Sequence, residues 1–179
     1  GLEAGLHVVI LQRWHNEWAL EAIDRYEANF VALVPTMMSR LLDVPRADRD
    51  KYNLSSLVAI VHGAAPCSTQ VKRAFLEWLQ GVEVYEAYGS SEGVGFCYIN
   101  RQEWLRRPGS VGPAAPGYRI VIRDEEGRVL PAGKIGVVYF ERFDGGRMEY
   151  LGNPDETARV YNSRGEGSVG DMGYIDADG

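Results

Sequence analysis

Tyr88-Gly89-Ser90-Ser91-Glu92-Gly93 places two glycines, two serine hydroxyls and a carboxylate within six residues. That set suits phosphate chemistry. Glycine lets backbone N–H groups converge, hydroxyls donate hydrogen bonds, and a carboxylate can hold a metal ion. The same string satisfies Gly-x-Ser-x-Gly, the nucleophile elbow of serine hydrolases. That reading needs an acid and then a histidine after the serine, whereas His7, His15 and His62 all precede it. It also needs a helix after the turn, and Gly95 to Ile99 reads as a strand. A third reading is a glycine turn with no ligand, with Glu92 capping the turn and Tyr88 in the core.

Other reactive residues carry weaker patterns. Cys67 and Cys97 have neither CxxC spacing nor a nearby histidine, and they read as reduced thiols of a cytoplasmic protein. Asp171, Asp176 and Asp178 crowd the last nine residues. A calcium loop is disfavoured there, because counting back from Gly179 puts Tyr174 at the first ligand position. His62, just ahead of Gly63-Ala64-Ala65, reads as a loop residue without a catalytic role.

The elements that must position these residues change character along the chain. His7 to Leu11 reads as a strand, followed by a helix that Asn16 can cap. In that helix Ala19, Ile23, Tyr26 and Phe30 recur at helical spacing. Val31 to Val34 is a continuous apolar run, as expected of a strand covered on both faces. Pro35-Thr36 opens a short helix carrying Met37, Met38, Leu41 and Leu42. Leu57 to Val61 is the next strand. Ser68 then caps a helix with Val71, Phe75 and Trp78 on one face, and Val82 to Tyr85 follows as a strand. This is a parallel α/β pattern, whose ligand crevice is expected at the carboxyl ends of the strands. The loops at 34–36, 62–66 and 88–93 lie at those ends. From Pro108-Gly109-Ser110-Val111-Gly112-Pro113 onward the helical period disappears. Tyr118 to Arg123, a turn at Asp124-Glu125-Glu126-Gly127, and Ile135 to Glu141 read as antiparallel β. The expected organisation is a parallel α/β subdomain over 1–106 and part of a β-rich, distorted-barrel subdomain over 107–179.

Composition sets outer limits. With 179 residues and 45% apolar content, the chain can bury a core as one domain or two small ones. Its net charge is −6, and its basic residues are scattered, which argues against a nucleic-acid partner. No apolar run approaches the roughly 20 residues of a membrane span, and no leader resembles a signal peptide. The opening Gly1-Leu2-Glu3 lacks an initiator Met, and the ending Asp176-Ala177-Asp178-Gly179 suits a turn before another strand. The expectation is a piece truncated at both ends.

Six strings occur in one order: HGAAPCS, EAYGSSEG, PGSVGPAAPGYRIVI, LPAGKIGVVYFER, YLGNPDETARV and GDMGYIDADG. In that order they resemble the central part of the large N-terminal domain of an AMP-forming acyl-CoA synthetase, an adenylate-forming enzyme. The resemblance runs over essentially the whole chain. It implies a carboxylic acid, fatty acyl by preference, activated by Mg·ATP to acyl-AMP and pyrophosphate, with coenzyme A then displacing AMP. An anion attacking an anionic phosphate needs a metal and hydrogen-bond donors.

By the same resemblance Ser91, where the family usually has Thr, hydrogen-bonds the α-phosphate, and Glu92 holds Mg²⁺. Tyr88, Gly89 and the backbone at Ala64 and Ala65 surround the adenylate, and Asp171 takes both ribose hydroxyls. Met37 and Met38 line the acyl pocket or simply pack the core, and Ala87 lies where pocket depth is set. Glu149 stands where many members have glycine. The phosphate-gripping loop with its Lys and the C-terminal domain with its catalytic Lys are absent, so this stretch alone is expected to be inactive. An aryl-CoA ligase, a carrier-protein-loading adenylation domain and a noncatalytic binding module stay open as alternatives.

Overall fold

The computed structural model describes Glu3 and residues 5–179. It divides into two compact units, Gly1–Glu86 with Asn100–Gly109, and Ala87–Ile99 with Ser110–Gly179.

In the first unit, helix α1 (Asn16–Arg25) buries Ala19, Leu20 and Ile23. The expected stripe ran on through Tyr26 and Phe30. Instead the helix stops, because Glu27 takes a left-handed φ of 48°. The N–H groups of Glu27 and Ala28 turn back onto the carbonyls of Asp24 and Ile23, a Schellman ending. Asn16 is not the cap either. His15 occupies that position without a side-chain bond. Asn16 instead accepts from Trp14 Nε1 (2.9 Å) and donates to the Arg40 carbonyl (2.8 Å). Residues His7 to Leu11, expected as a strand, form none, and Ile10 is 84% exposed. An apolar run becomes a strand only where a neighbour completes its ladder, and none of the described residues does so here.

Strand β1 (Phe30–Leu33) leads into α2 (Pro35–Asp43), which opens on proline, as its missing N–H allows, and buries Met38 and Leu41. Only Leu33 of β1 is buried, because β1 lies at the sheet's edge and is not covered on both faces. After the short α3 (Arg46–Arg49) comes β2 (Ala59–His62), then α4 (Thr69–Trp78). Ser68 Oγ accepts from the Val71 N–H at 3.2 Å and caps α4 as expected. The buried face of α4 is Lys72, Phe75 and Leu76, one residue round from the expected face. Strand β3 (Glu83–Gly89) pairs parallel with β2, and β2 with β1, in a register that sets His62 beside Glu86. A further helix, α5 (Arg101–Arg106), starts at an Asn100–Glu103 capping box and buries Trp104. Arg101 donates to the carbonyls of Leu76 (2.7 Å) and Leu79 (2.9 Å), satisfying the open end of α4.

The second unit begins with the last three residues of β3 and continues into β4 (Phe96–Ile99). Strands β5 (Tyr118–Arg123) and β6 (Gly136–Arg142) pair antiparallel, and the two-residue β7 (Met172–Gly173) adds to β6. Helix α6 (Pro154–Val160) is capped by Asn153, whose side chain accepts from the Glu156 N–H at 3.2 Å. Val94, Cys97, Ile122, Val138, Phe140 and Val160 form the core. The chain is thus of mixed α/β class, parallel first and antiparallel after, as its sequence led us to expect.

Candidate functional site

The turn that follows β3 is built by close approach. A Cβ on Gly89 would lie 2.8 Å from the Gly95 carbonyl oxygen, so only glycine lets the two passes of chain come together. Gly93 closes the turn with a left-handed φ of 64° and an N–H donated to Ser90 O at 3.0 Å. Between them stand Ser91 and Glu92. Ser91 Oγ donates to Glu92 Oε2 at 3.2 Å, and the Tyr150 hydroxyl donates to Oε1 at 2.9 Å. Its own backbone N–H, then Tyr150 and Ser90, hold the Glu92 carboxyl below the usual carboxylate range. Tyr150 moves the opposite way, its hydroxyl raised by donating to that carboxylate.

Tyr88 points to a second acid. Its hydroxyl donates to Asp171 Oδ2 at 2.9 Å across 83 residues of chain. The ring packs at 6.0 Å from Phe140. Burial, and then the bond to Asp171, raise the Tyr88 pKa. Asp171 is held through its main chain, since the Val138 N–H donates to its carbonyl at 2.9 Å. Tyr88, Gly89, Ser91, Glu92 and Asp171 therefore all belong to the second unit, linked as Tyr88 with Asp171 and Ser91 with Glu92.

Ala64 and Ala65 belong to the first unit and are exposed. Ala64 has a φ of 64°, a left-handed backbone that costs a non-glycine residue on the order of 1 kcal/mol. Behind this loop lies a buried polar cluster that sequence reasoning missed. Lys72 Nζ sits 2.7 Å from Glu86 Oε2 and 5.0 Å from the Trp104 ring centre, and His62 Nε2 lies 3.8 Å from the same carboxylate oxygen. Burial, and then the Lys72 charge, push His62 down to about 3, so its imidazole is neutral. The one available signal was Lys72 on the inner side of an amphipathic helix.

The described residues contain no group of three or more His, Cys, Asp or Glu placed to hold a metal ion. A metal cage made by protein alone is therefore not what this site offers. A single ionised carboxylate, Glu92, fits a magnesium ion that brings its other ligands with it on phosphates and water. Beside Tyr150 lies a cavity of about 490 Å³ lined by Arg147, Glu149, Asn153, Thr157 and Tyr161, which the sequence did not announce.

The model of the AMP-binding enzyme family matches residues 1–143. The chain belongs to the AMP-binding enzyme family. A probable CoA ligase of Humulus lupulus is 33% identical over 181 residues, covering 99% of this chain and 32% of the relative. A crotonobetaine/carnitine–CoA ligase of Salmonella paratyphi B is 31% identical, covering 98% of this chain and 34% of the relative. Among solved structures, an amide bond synthetase from Marinactinospora thermotolerans superposes with a TM-score of 0.82 at 31% identity, over 94% of this chain and 34% of the other. This member of the AMP-binding family therefore spans about a third of the length of the curated relatives it matches. The resemblance to adenylate-forming enzymes drawn from six short strings holds across the chain.

Proposed function

We propose that this chain carries adenylate-handling loops of an ATP-dependent acyl-CoA ligase. The carrying observation is the 2.9 Å bond between Tyr88 and Asp171, which ties the phosphate-friendly strand end to a distant acid. In this reading Asp171 accepts both ribose hydroxyls, a task a two-oxygen carboxylate performs well. Tyr88 flanks adenine, Gly89 lets the backbone come close, and Ser91 donates to the α-phosphate. Glu92 holds Mg²⁺, which when bound offsets the negative charge between attacking carboxylate and phosphate. Ser91 adds a donor to the same oxygens, and Tyr150 keeps the Glu92 carboxylate oriented and ionised.

The substrate class is a carboxylic acid, fatty acyl by preference, with coenzyme A as thiol acceptor. An aryl acid is the nearest alternative, and a carrier-protein thiol is another. An amine acceptor gains support from the amide bond synthetase, whose identity to this chain equals that of the carnitine ligase. A noncatalytic nucleotide-binding role is the remaining alternative. The functional division falls between 1–106 and 107–179, supported by the change from parallel to antiparallel pairing. The expectation that these 179 residues are inactive by themselves is supported by their spanning about a third of each relative's length. A cytoplasmic setting is supported by two free cysteines. None of the described helices is long and apolar enough to cross a membrane.

The test is ATP–pyrophosphate exchange by the full-length protein, with fatty, aryl and amino acids offered in turn, repeated with Glu92→Ala. Exchange that depends on one acid class and is lost in the variant supports adenylation. Product analysis with coenzyme A or amines then identifies the acceptor. A folded protein that binds ATP but exchanges with no acid removes the ligase reading.

A further inference from the structure

We infer that Glu166, clamped by Arg123, is a positioning residue for Asp171; this rests on the reading of Asp171 as the ribose acid. Arg123 and Glu166 are 5% and 4% exposed, which makes them a buried ion pair in the second unit. Their contact is bidentate, with Nε to Oε2 and Nη2 to Oε1 both at 2.6 Å, and Arg123 Nη1 donates to the Gly127 carbonyl at 2.7 Å. Asn162 donates to the same carboxylate at 2.6 Å and accepts from the Glu166 N–H at 3.1 Å. Buried charges persist only with such full pairing.

What the pair holds is the chain leading to Asp171. Gly167 exchanges two backbone bonds of 2.8 Å with Phe140. Ser168 donates its N–H to Val160 O (2.9 Å) and its hydroxyl to Val138 O (2.6 Å). The Gly170 N–H returns to Ser168 Oγ at 3.1 Å, and the Val138 N–H fixes the Asp171 carbonyl at 2.9 Å. The run is continuous from Arg123 on β5 to Asp171, and every main-chain link after Glu166 is made to β6, Val160 or the segment itself. Glu166 is the buried, charged anchor at its start. Tyr88 fixes the Asp171 side chain, and the Glu166 clamp fixes its backbone.

The experiment uses the full-length protein with Glu166→Gln, and an Arg123→Met/Glu166→Met double variant in which neither charge is left buried alone. Hydrogen exchange and the preference for AMP over 2′-deoxy-AMP are both measured, with Asp171→Ala as the reference for a lost ribose contact. The expected result is exchange at least about tenfold faster over 166–172, with 118–123 little changed. With it, the preference for AMP falls about threefold or more toward that of Asp171→Ala. Unchanged exchange in both variants overturns the clamp. Faster exchange with an intact AMP preference overturns its positioning role, leaving only a structural one. If the unaltered protein shows no preference for AMP at all, the ribose reading of Asp171 falls. The exchange data then still decide the clamp.

Discussion

The Phe140 ring fills the space that a side chain at residue 95 would need. A Cβ built on Gly95 would lie 1.9 Å from Phe140 Cγ and 2.2 Å from Cδ1. Phe140 is 3% exposed and belongs to the core of the second unit, so it has little room to swing away. Gly95→Ala is expected to destabilise the protein by about 1–3 kcal/mol through overpacking. Urea denaturation checks this, and an unchanged midpoint would mean that the ring relocates freely.

His62 makes stability depend on pH. Its folded pKa is about 3 against an ordinary 6.5, so the unfolded chain binds a proton that the folded chain refuses. The contribution is present in full above about 6.5 and is lost as pH falls from there toward 3. His62→Gln, which cannot titrate, is expected to flatten the fall in stability between pH 6.5 and 4. Denaturation midpoints across that range test it, and parallel curves for the two proteins would refute the assignment.

Ser68→Ala removes the bond to the Val71 N–H that starts α4. A loss of about 1 kcal/mol is expected, the usual worth of such a cap. Ser68→Asp should retain most of it, as a carboxylate also accepts at that position. Chemical denaturation of the three proteins gives the comparison.

Neither thiol should react at neutral pH. Burial raises Cys97 to about 12, and burial with the nearby Glu86 charge raises Cys67 to about 11. Since the thiolate is the nucleophile, iodoacetamide at pH 7.5 is expected to leave both cysteines unmodified in the folded protein and to label both in denaturant. Rapid labelling of native Cys67 would contradict this.

Tyr88→Phe keeps the ring on Phe140 and deletes only the donor to Asp171. On the proposed function, AMP binding should weaken by about 1 kcal/mol, roughly fivefold, with thermal stability nearly unchanged. Isothermal calorimetry with AMP checks it, and equal affinity would show that the hydroxyl does not prepare the acid.

Legibility in the sequence followed the range of the forces involved. Local signals worked: Ser68 capped its helix, and the apolar alternation of Tyr118 to Arg123 became β5. The Asn100–Glu103 capping box was equally local and was overlooked. Where outcome depended on distant partners, pattern misled. His7 to Leu11 had strand composition but no ladder partner among the described residues, and Phe30 had helical spacing beyond a left-handed stop at Glu27. The motif order singled out the candidate site residues as a set. Their pairings were not, since Tyr88 and Asp171, or Glu92 and Tyr150, meet only through tertiary structure. Nor could the charged cores around Lys72 and Arg123 be read, because a charged residue on an inner face looks like an error until its partner is found.

The burial of Lys72 also gives the folded state a chemical count. The chain has only three lysines, Lys51, Lys72 and Lys134. Lys51 and Lys134 face solvent, whereas Lys72 is 0% exposed. An acylating reagent therefore meets two side-chain amines in the native protein and three once the first unit opens. The mass gained at the third site reports, molecule by molecule, which copies have lost that core.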